Sequence, residues 1–180
     1  PPEVPRALEQ VDRLQATIET LLALARGRSP ERARFEVAPM LLDLDRRWGG
    51  PLAAAGRSLR IVQAGPPAIV DGSHEIIREI LAILVENAVV HGAGTVGLVV
   101  RGASVGWVTV EVSDEGAGFA QEPEDVFAPR IPVRGHGIGL SLANSLAEAD
   151  GARLVLSRRG PRPALTLHLP DARIADSGTN

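Results

Sequence analysis

Between Ser73 and His91 the chain is apolar on nearly every side of a helical projection, through Ile76, Ile77, Ile80, Leu81, Ile83, Leu84, Val85 and Val89. Such a helix has no polar face to give to water, so it must be buried between layers rather than laid on a surface. One amide, Asn87, interrupts it. A buried amide without partners is costly, so something polar must meet it. Two readings stand at this point: a core asparagine satisfied by nearby backbone, or a side chain turned toward a polar ligand.

The elements around this helix are short. Phe35 and Val37 alternate like a strand, and Pro39 opens a helix running towards Ala55. Arg57 to Gln63 and Ala68 to Val70 read as strands separated by Gly65-Pro66-Pro67. Val96 to Val100 and Trp107 to Val112 are β-rich around the Gly102-Ala103-Ser104 turn. A helix from Gly137 to Ala149 and strands from Ala152 to Ser157 and Ala164 to Leu169 complete the pattern, with a polar tail after Pro170. Strands grouped with helices and joined by short turns predict an α+β fold, a two-layer sandwich. Ahead of it, Leu8, Val11, Leu14, Ile18, Leu21, Leu22 and Ala25 mark an amphipathic helix that Gly27 and Pro30 end. That helix either folds back on its own domain or packs against a helix from elsewhere.

Composition narrows the function classes. A chain of 180 residues, 44% apolar, holds one well-cored domain plus an appendage. It contains no cysteine, which excludes disulfides, a thiol nucleophile and cysteine-ligated zinc. A net charge of -3 argues against a general nucleic-acid binder. Lysine is absent, so any cationic side chain on a phosphate must be a guanidinium. No apolar run approaches the ~20 residues that span a bilayer. Pro1-Pro2-Glu3-Val4-Pro5 is not a signal peptide, and without a starting Met the chain reads as a piece of a longer protein.

Two glycine-bearing segments follow the Asn87 helix. Asp114-Glu115-Gly116-Ala117-Gly118 directly follows a strand, and its glycines let the backbone turn sharply and approach a flat ligand. An ordinary Asp-containing turn remains the alternative. Gly135-His136-Gly137-Ile138-Gly139-Leu140 precedes a helix whose first amides form an anion site. A dinucleotide fingerprint fails here, because it would follow the first strand of a βαβ unit, and a P-loop fails for want of Gly-Lys-Ser/Thr.

Glu86-Asn87-Ala88, the Asp114 turn and the Gly135 box, in that order, resemble the nucleotide-binding domain of bacterial sensor histidine kinases, in the ATPase superfamily shared with DNA gyrase, Hsp90 and MutL. The resemblance implies a Bergerat-type sandwich, a mixed sheet with about three helices on one face, preceded by one long helix of a dimerisation hairpin. Residues 1–28 would be that hairpin's second helix, 29–170 the catalytic domain and 171–180 a flexible tail. Asn87 would ligate the Mg²⁺ that bridges ATP phosphates, since an amide oxygen suits a hard cation that keeps its waters. Asp114 would accept the adenine amino group, with Gly116 and Gly118 shaping its turn. His91 would contact the nucleotide. Gly135, Gly137, Ile138, Gly139 and Leu140 would lie at the phosphates beneath a lid carrying Phe127, Arg130 and Arg134, the two arginines being either phosphate contacts or solvated charges.

The implied reaction moves the ATP γ-phosphate to a histidine on an upstream helix outside this chain, then to an aspartate of a response-regulator receiver domain, with a homodimer formed through the hairpin helices. The implied setting is a cytoplasmic domain of a parent anchored in the inner membrane. Ser73-His74-Glu75 imitates a phosphoacceptor motif, but Ile76-Ile77-Arg78-Glu79 follows it and Ser73 is explained as a helix N-cap. His136 falls within the glycine box and His168 in a strand at the sheet edge. Three positions depart from the family: Ile83 where a polar residue is usual, Val90 where a basic one is common, and Arg130 where an aromatic is usual; the lid is also short. Alternatives are an anti-sigma-factor-type serine kinase and a degenerate nucleotide-binding interaction module.

Overall fold

The computed structural model describes residues 31–104, 106–120, 122, 125–128 and 139–173. The expected hairpin helix, together with Arg130, Arg134, Gly135, His136, Gly137 and Ile138, lies outside the described residues. The described elements run β1 (Ala33–Glu36), α1 (Ala38–Ala54), β2 (Leu59–Ala64), β3 (Ile69–Gly72), α2 (His74–His91), β4 (Val96–Ser104), β5 (Trp107–Ser113), α3 (Gly139–Ala149), β6 (Arg153–Arg158) and β7 (Ala164–Pro170).

Strand alternation builds the main sheet. Val96, Leu98 and Val100 of β4, Val108, Val110 and Val112 of β5, and Leu165, Leu167 and Leu169 of β7 are all buried. They share one face through the pairs Val110↔Leu167 and Leu98↔Val112, while Thr109 and Glu111 take the other. The order is β2-β4-β5-β7-β6, with β2 parallel to β4 and the remaining neighbours antiparallel, so the sheet is mixed. A second, two-stranded sheet pairs β1 with β3. The three helices cover the apolar face, α2 packing against α1, α3, β4 and β5. Ile76, Ile77, Ile80, Leu81, Leu84 and Val85 are fully buried there, as expected of a helix between layers. The molecule is the α+β sandwich the sequence predicts.

Ser73 accepts a hydrogen bond from the Ile76 amide at 3.4 Å, capping α2, and His74 is exposed with its ring edge on Phe35. Asn87 lies thirteen positions beyond His74, about 20 Å along the helix.

Two expectations are corrected. His168 is in β7, between β5 and β6, and not at the sheet edge. Its pKa is lowered by burial, with Arg153 adding to the effect. Residues 171–173 belong to the fold rather than to a tail: the Asp171 amide bonds Gly106 O, the Ala172 amide bonds Ile69 O, and the Asp171 carboxylate holds Arg173 at 3.1 Å. Sequence composition makes this stretch look polar, yet Asp171 and Ala172 are both buried.

The start of the described chain is tied to the far end of α3. Arg32 donates to Asp150 O at 2.6 Å and to Asp71 O at 2.8 Å, and it pairs with the Asp150 carboxylate at 3.3 Å. Asp150 Oδ1 also accepts the Ser73 amide, whereas Oδ2 is buried without a partner among the described residues. A Cβ added at Gly72 would stand 2.6 Å from that oxygen, so only glycine fits beneath it.

Burial raises the Asp150 pKa above 3.8, more than the Ser73 amide and Arg32 lower it, and Asp71 adds to the rise. With the folded-state pKa above the unfolded one, the folded state binds the proton more tightly across that window, and folding stability falls as pH climbs through it. Thermal melts across this range should therefore show the wild type losing stability relative to Asp150→Asn as pH rises from 3.8, with no further divergence above the folded pKa. A difference between the two proteins that does not change with pH contradicts this account.

Candidate functional site

Three parts of the fold meet at one narrow cleft. Leu84, Asn87 and Ala88 enter from α2, Val112 and Asp114 from the end of β5, and Phe119 from the loop after it; Pro163, Ala164 and Leu165 close the far wall at the start of β7. The alternation that buries Leu84 and Ala88 against the sheet leaves Asn87 half-buried at the cleft, and its side chain makes no hydrogen bond among the described residues. Of the two readings of this amide, the first finds no partner among the described neighbours.

Asp114 is buried, and its carboxylate organises the turn. Oδ1 accepts the Gly116 amide at 2.6 Å and the Ala93 amide at 3.3 Å. Both described hydrogen bonds thus fall on one oxygen. The loop after α2 is stitched to this turn a second time: the Glu115 amide bonds Ala93 O at 2.8 Å, and Glu115 Oε2 accepts the Thr95 amide at 3.1 Å. On its other side the turn is held by the β6–β7 loop, through Arg162 N to Gly116 O and Phe119 N to Arg159 O. Arg159 also pairs with Glu122 at 2.7 Å.

Gly118 sits at φ +95°, and a Cβ there would meet Arg159 O and stand 2.5 Å from Gly160 O. Glycine is required at Gly92 as well, where a Cβ would meet Ala88 O and the Asp114 carboxyl. The sequence marks Gly116 and Gly118; it does not distinguish Gly92 from an ordinary helix stop.

The structure brings together Asn87, Asp114, Gly116 and Gly118 of the predicted residues. His91 ends α2, exposed, and does not line the cleft. Phe127 and Leu140 are half-buried against the core rather than on the cleft wall. Gly139 opens α3 against α2, where an added Cβ would stand 3.4 Å from Ile83 Cγ2. The wall residues Leu84, Val112, Phe119 and Pro163 to Leu165 carry no motif; only their place in the sheet brings them in.

No group of three or more His, Cys, Asp or Glu that could hold a metal ion occurs among the described residues. The Asn87 amide oxygen, unpaired among the described residues, is of the donor type that fits a hard cation keeping most of its waters.

A family profile described as "Histidine kinase-, DNA gyrase B-, and HSP90-like ATPase" matches residues 72–173, which span α2, the Asp114 turn, α3 and the last strand. The chain belongs to this ATPase family. Its relatives place it in the sensor histidine kinase branch. It is 31% identical to the "Probable sensor histidine kinase HK" of Mycobacterium tuberculosis (strain CDC 1551 / Oshkosh) over 96% of this chain and 50% of that protein. The chain spans about half the length of that curated relative. The histidine kinase AdeS of Acinetobacter baumannii superposes with a TM-score of 0.75 at 19% identity, over 94% of this chain and 83% of that one. ShkA, solved at full length in complex with AMPPNP, gives 0.72 at 24% identity, over 91% and 37%.

Within this family the departures take physical form. Ile83 is buried under Gly139, so the position one turn before Asn87 offers no group to activate water. Val90 is 54% exposed and makes no charge available at the end of the histidine kinase helix. Among the described residues no helix is long and apolar enough to cross a membrane.

Proposed function

We propose that this chain binds Mg-ATP in the Asn87–Asp114 cleft and is the catalytic core of a sensor histidine kinase, donating the γ-phosphate to a histidine on an upstream helix for relay to a response regulator. The single observation that carries the reading is the convergence on one cleft of Asn87, whose amide is unpaired among the described residues, and Asp114, whose Oδ2 is left over after Oδ1 has fixed the turn.

In this reading Asp114 Oδ2 accepts from the adenine amino group, and the apolar walls Leu84, Val112, Phe119 and Leu165 take the ring. Asn87 offers its amide oxygen to the magnesium that arrives with the phosphates. When bound, that ion neutralises charge on the transferred phosphoryl group. Arg130 and Arg134 would act as guanidinium contacts for the same charge, and Gly135, Gly137 and Ile138 would lie at the phosphates ahead of α3, whose first amides suit an anion. Catalysis in such a site is positioning and charge stabilisation, so no covalent nucleophile within the chain is needed. A buried Ile83 suits a phosphotransferase better than a free-standing ATP hydrolase, because water is given no base. The parent would dimerise through the hairpin helices and present this domain in the cytoplasm beneath a membrane anchor.

Calorimetric titration with Mg-ATP tests this. The wild type binds, and Asn87→Ala weakens binding by about tenfold, the cost of leaving a ligand position unfilled. No binding at millimolar nucleotide, or binding indifferent to Asn87→Ala, removes the kinase reading. Joined to its upstream helix, the same domain should form acid-labile phosphate; acid-stable phosphate would identify serine transfer instead.

A further inference from the structure

Arg57 was expected at the start of a strand, but β2 begins at Leu59 and the Arg57 side chain does something else. Its guanidinium donates three hydrogen bonds to backbone oxygens: Nη2 to Ala88 O at 3.0 Å, Nη1 to Val89 O at 2.6 Å and Nε to Gly94 O at 2.8 Å. The first two carbonyls end the helix that carries Asn87. Gly94 follows Ala93, whose amide reaches Asp114 Oδ1 and whose carbonyl accepts the Glu115 amide. One rigid fork therefore joins the Asn87 end of the cleft to the loop that buttresses Asp114.

We infer that Arg57 is a positioning residue of the nucleotide site, setting the placement of Asn87 relative to Asp114; the inference rests on the proposed Mg-ATP reading. The guanidinium is suited to this on two counts. Its positive charge sits at the C-terminal end of α2, where the carbonyl dipoles accumulate negative potential. Its planar donors hold three carbonyls in a fixed mutual geometry, which a single ammonium on a flexible stem does not do. The base of this bracket is itself fixed, with the Arg57 amide on Leu52 O at 2.8 Å and Val96 N on Ser58 O at 2.8 Å. Arg57 does not itself line the cleft, and it reaches the wall only through the Ala88 carbonyl, so its effect must pass through α2 and the loop.

Charge and geometry can be separated by two substitutions. Arg57→Met removes both; Arg57→Lys keeps the charge at the helix end and loses the fork. Melting temperature, and Kd for Mg-ATP and Mg-GTP, are measured on the whole chain at a temperature where circular dichroism shows each variant folded. Arg57→Met is expected to melt lower and to bind Mg-ATP about tenfold more weakly, with a smaller ATP over GTP preference. Arg57→Lys should recover most of the melting temperature without recovering that preference. If Arg57→Met does not fold, Arg57→Lys alone carries the readout.

Wild-type affinity and preference in a folded Arg57→Lys overturn the inference, as does recovery of preference in step with stability. A wild type that binds no nucleotide instead overturns the reading of the cleft.

Discussion

Asp114→Asn is expected to bind Mg-ATP about a hundredfold more weakly than the wild type while remaining folded, and to lose its preference for adenine over guanine nucleotides. Asparagine keeps an oxygen for the Gly116 and Ala93 amides, so the turn survives. The other carboxylate oxygen becomes an NH₂, and in the proposed reading an acceptor for the adenine amino group becomes a donor against a donor. Two hydrogen atoms then compete for one space in a site with apolar walls, where no water easily intervenes. Guanine presents a carbonyl at the equivalent position, so GTP should lose much less than ATP. Competitive displacement of a fluorescent nucleotide by ATP and by GTP gives both numbers. An ATP affinity within twofold of wild type would show that Asp114 serves the turn and not the base.

Gly118→Ala should destabilise the domain by about 3 kcal/mol, from a positive-φ penalty of roughly 1–2 kcal/mol and a steric cost of similar size. The residue sits at φ +95°, and the methyl group would run into main-chain atoms of Arg159 and Gly160, which cannot rotate aside as a side chain does. For a domain of this size the loss corresponds to a melting temperature lower by about 10 °C. Gly151 provides the control: its φ is +73°, but nothing lies within 4 Å of an added Cβ. Gly151→Ala should therefore cost about 1 kcal/mol, the backbone term alone. Equal shifts in the two variants would mean that the contact between the Asp114 turn and the β6–β7 loop yields freely.

The parts of the fold legible in the sequence are those governed by local periodicity. Helix α2 announces itself because its broad buried face leaves a dense apolar pattern with few charges between, and β5 because Val108, Val110 and Val112 alternate with Thr109 and Glu111. Asn87 could be singled out as an amide in an apolar helix, and Asp114 as a carboxylate between a strand end and two closely spaced glycines.

What depends on long-range pairing was hidden. Pro163 to Leu165 reach the cleft only because β7 pairs with β5, a neighbour more than fifty positions earlier. Arg57 left no signal because it bonds to carbonyl oxygens, which every residue possesses and no sequence pattern marks. Asp171 looked like the start of a polar tail, since a buried aspartate paired with Arg173 reads like any surface pair.

The grip of Asp150 on Arg32 bears on how the chain is made. The two are separated by 118 positions, so the first described residues can find their buried partner only after α3 has left the ribosome. Until then Arg32 can hold only Asp71 in β3, so the seam that joins β1 to the end of α3 closes late in synthesis.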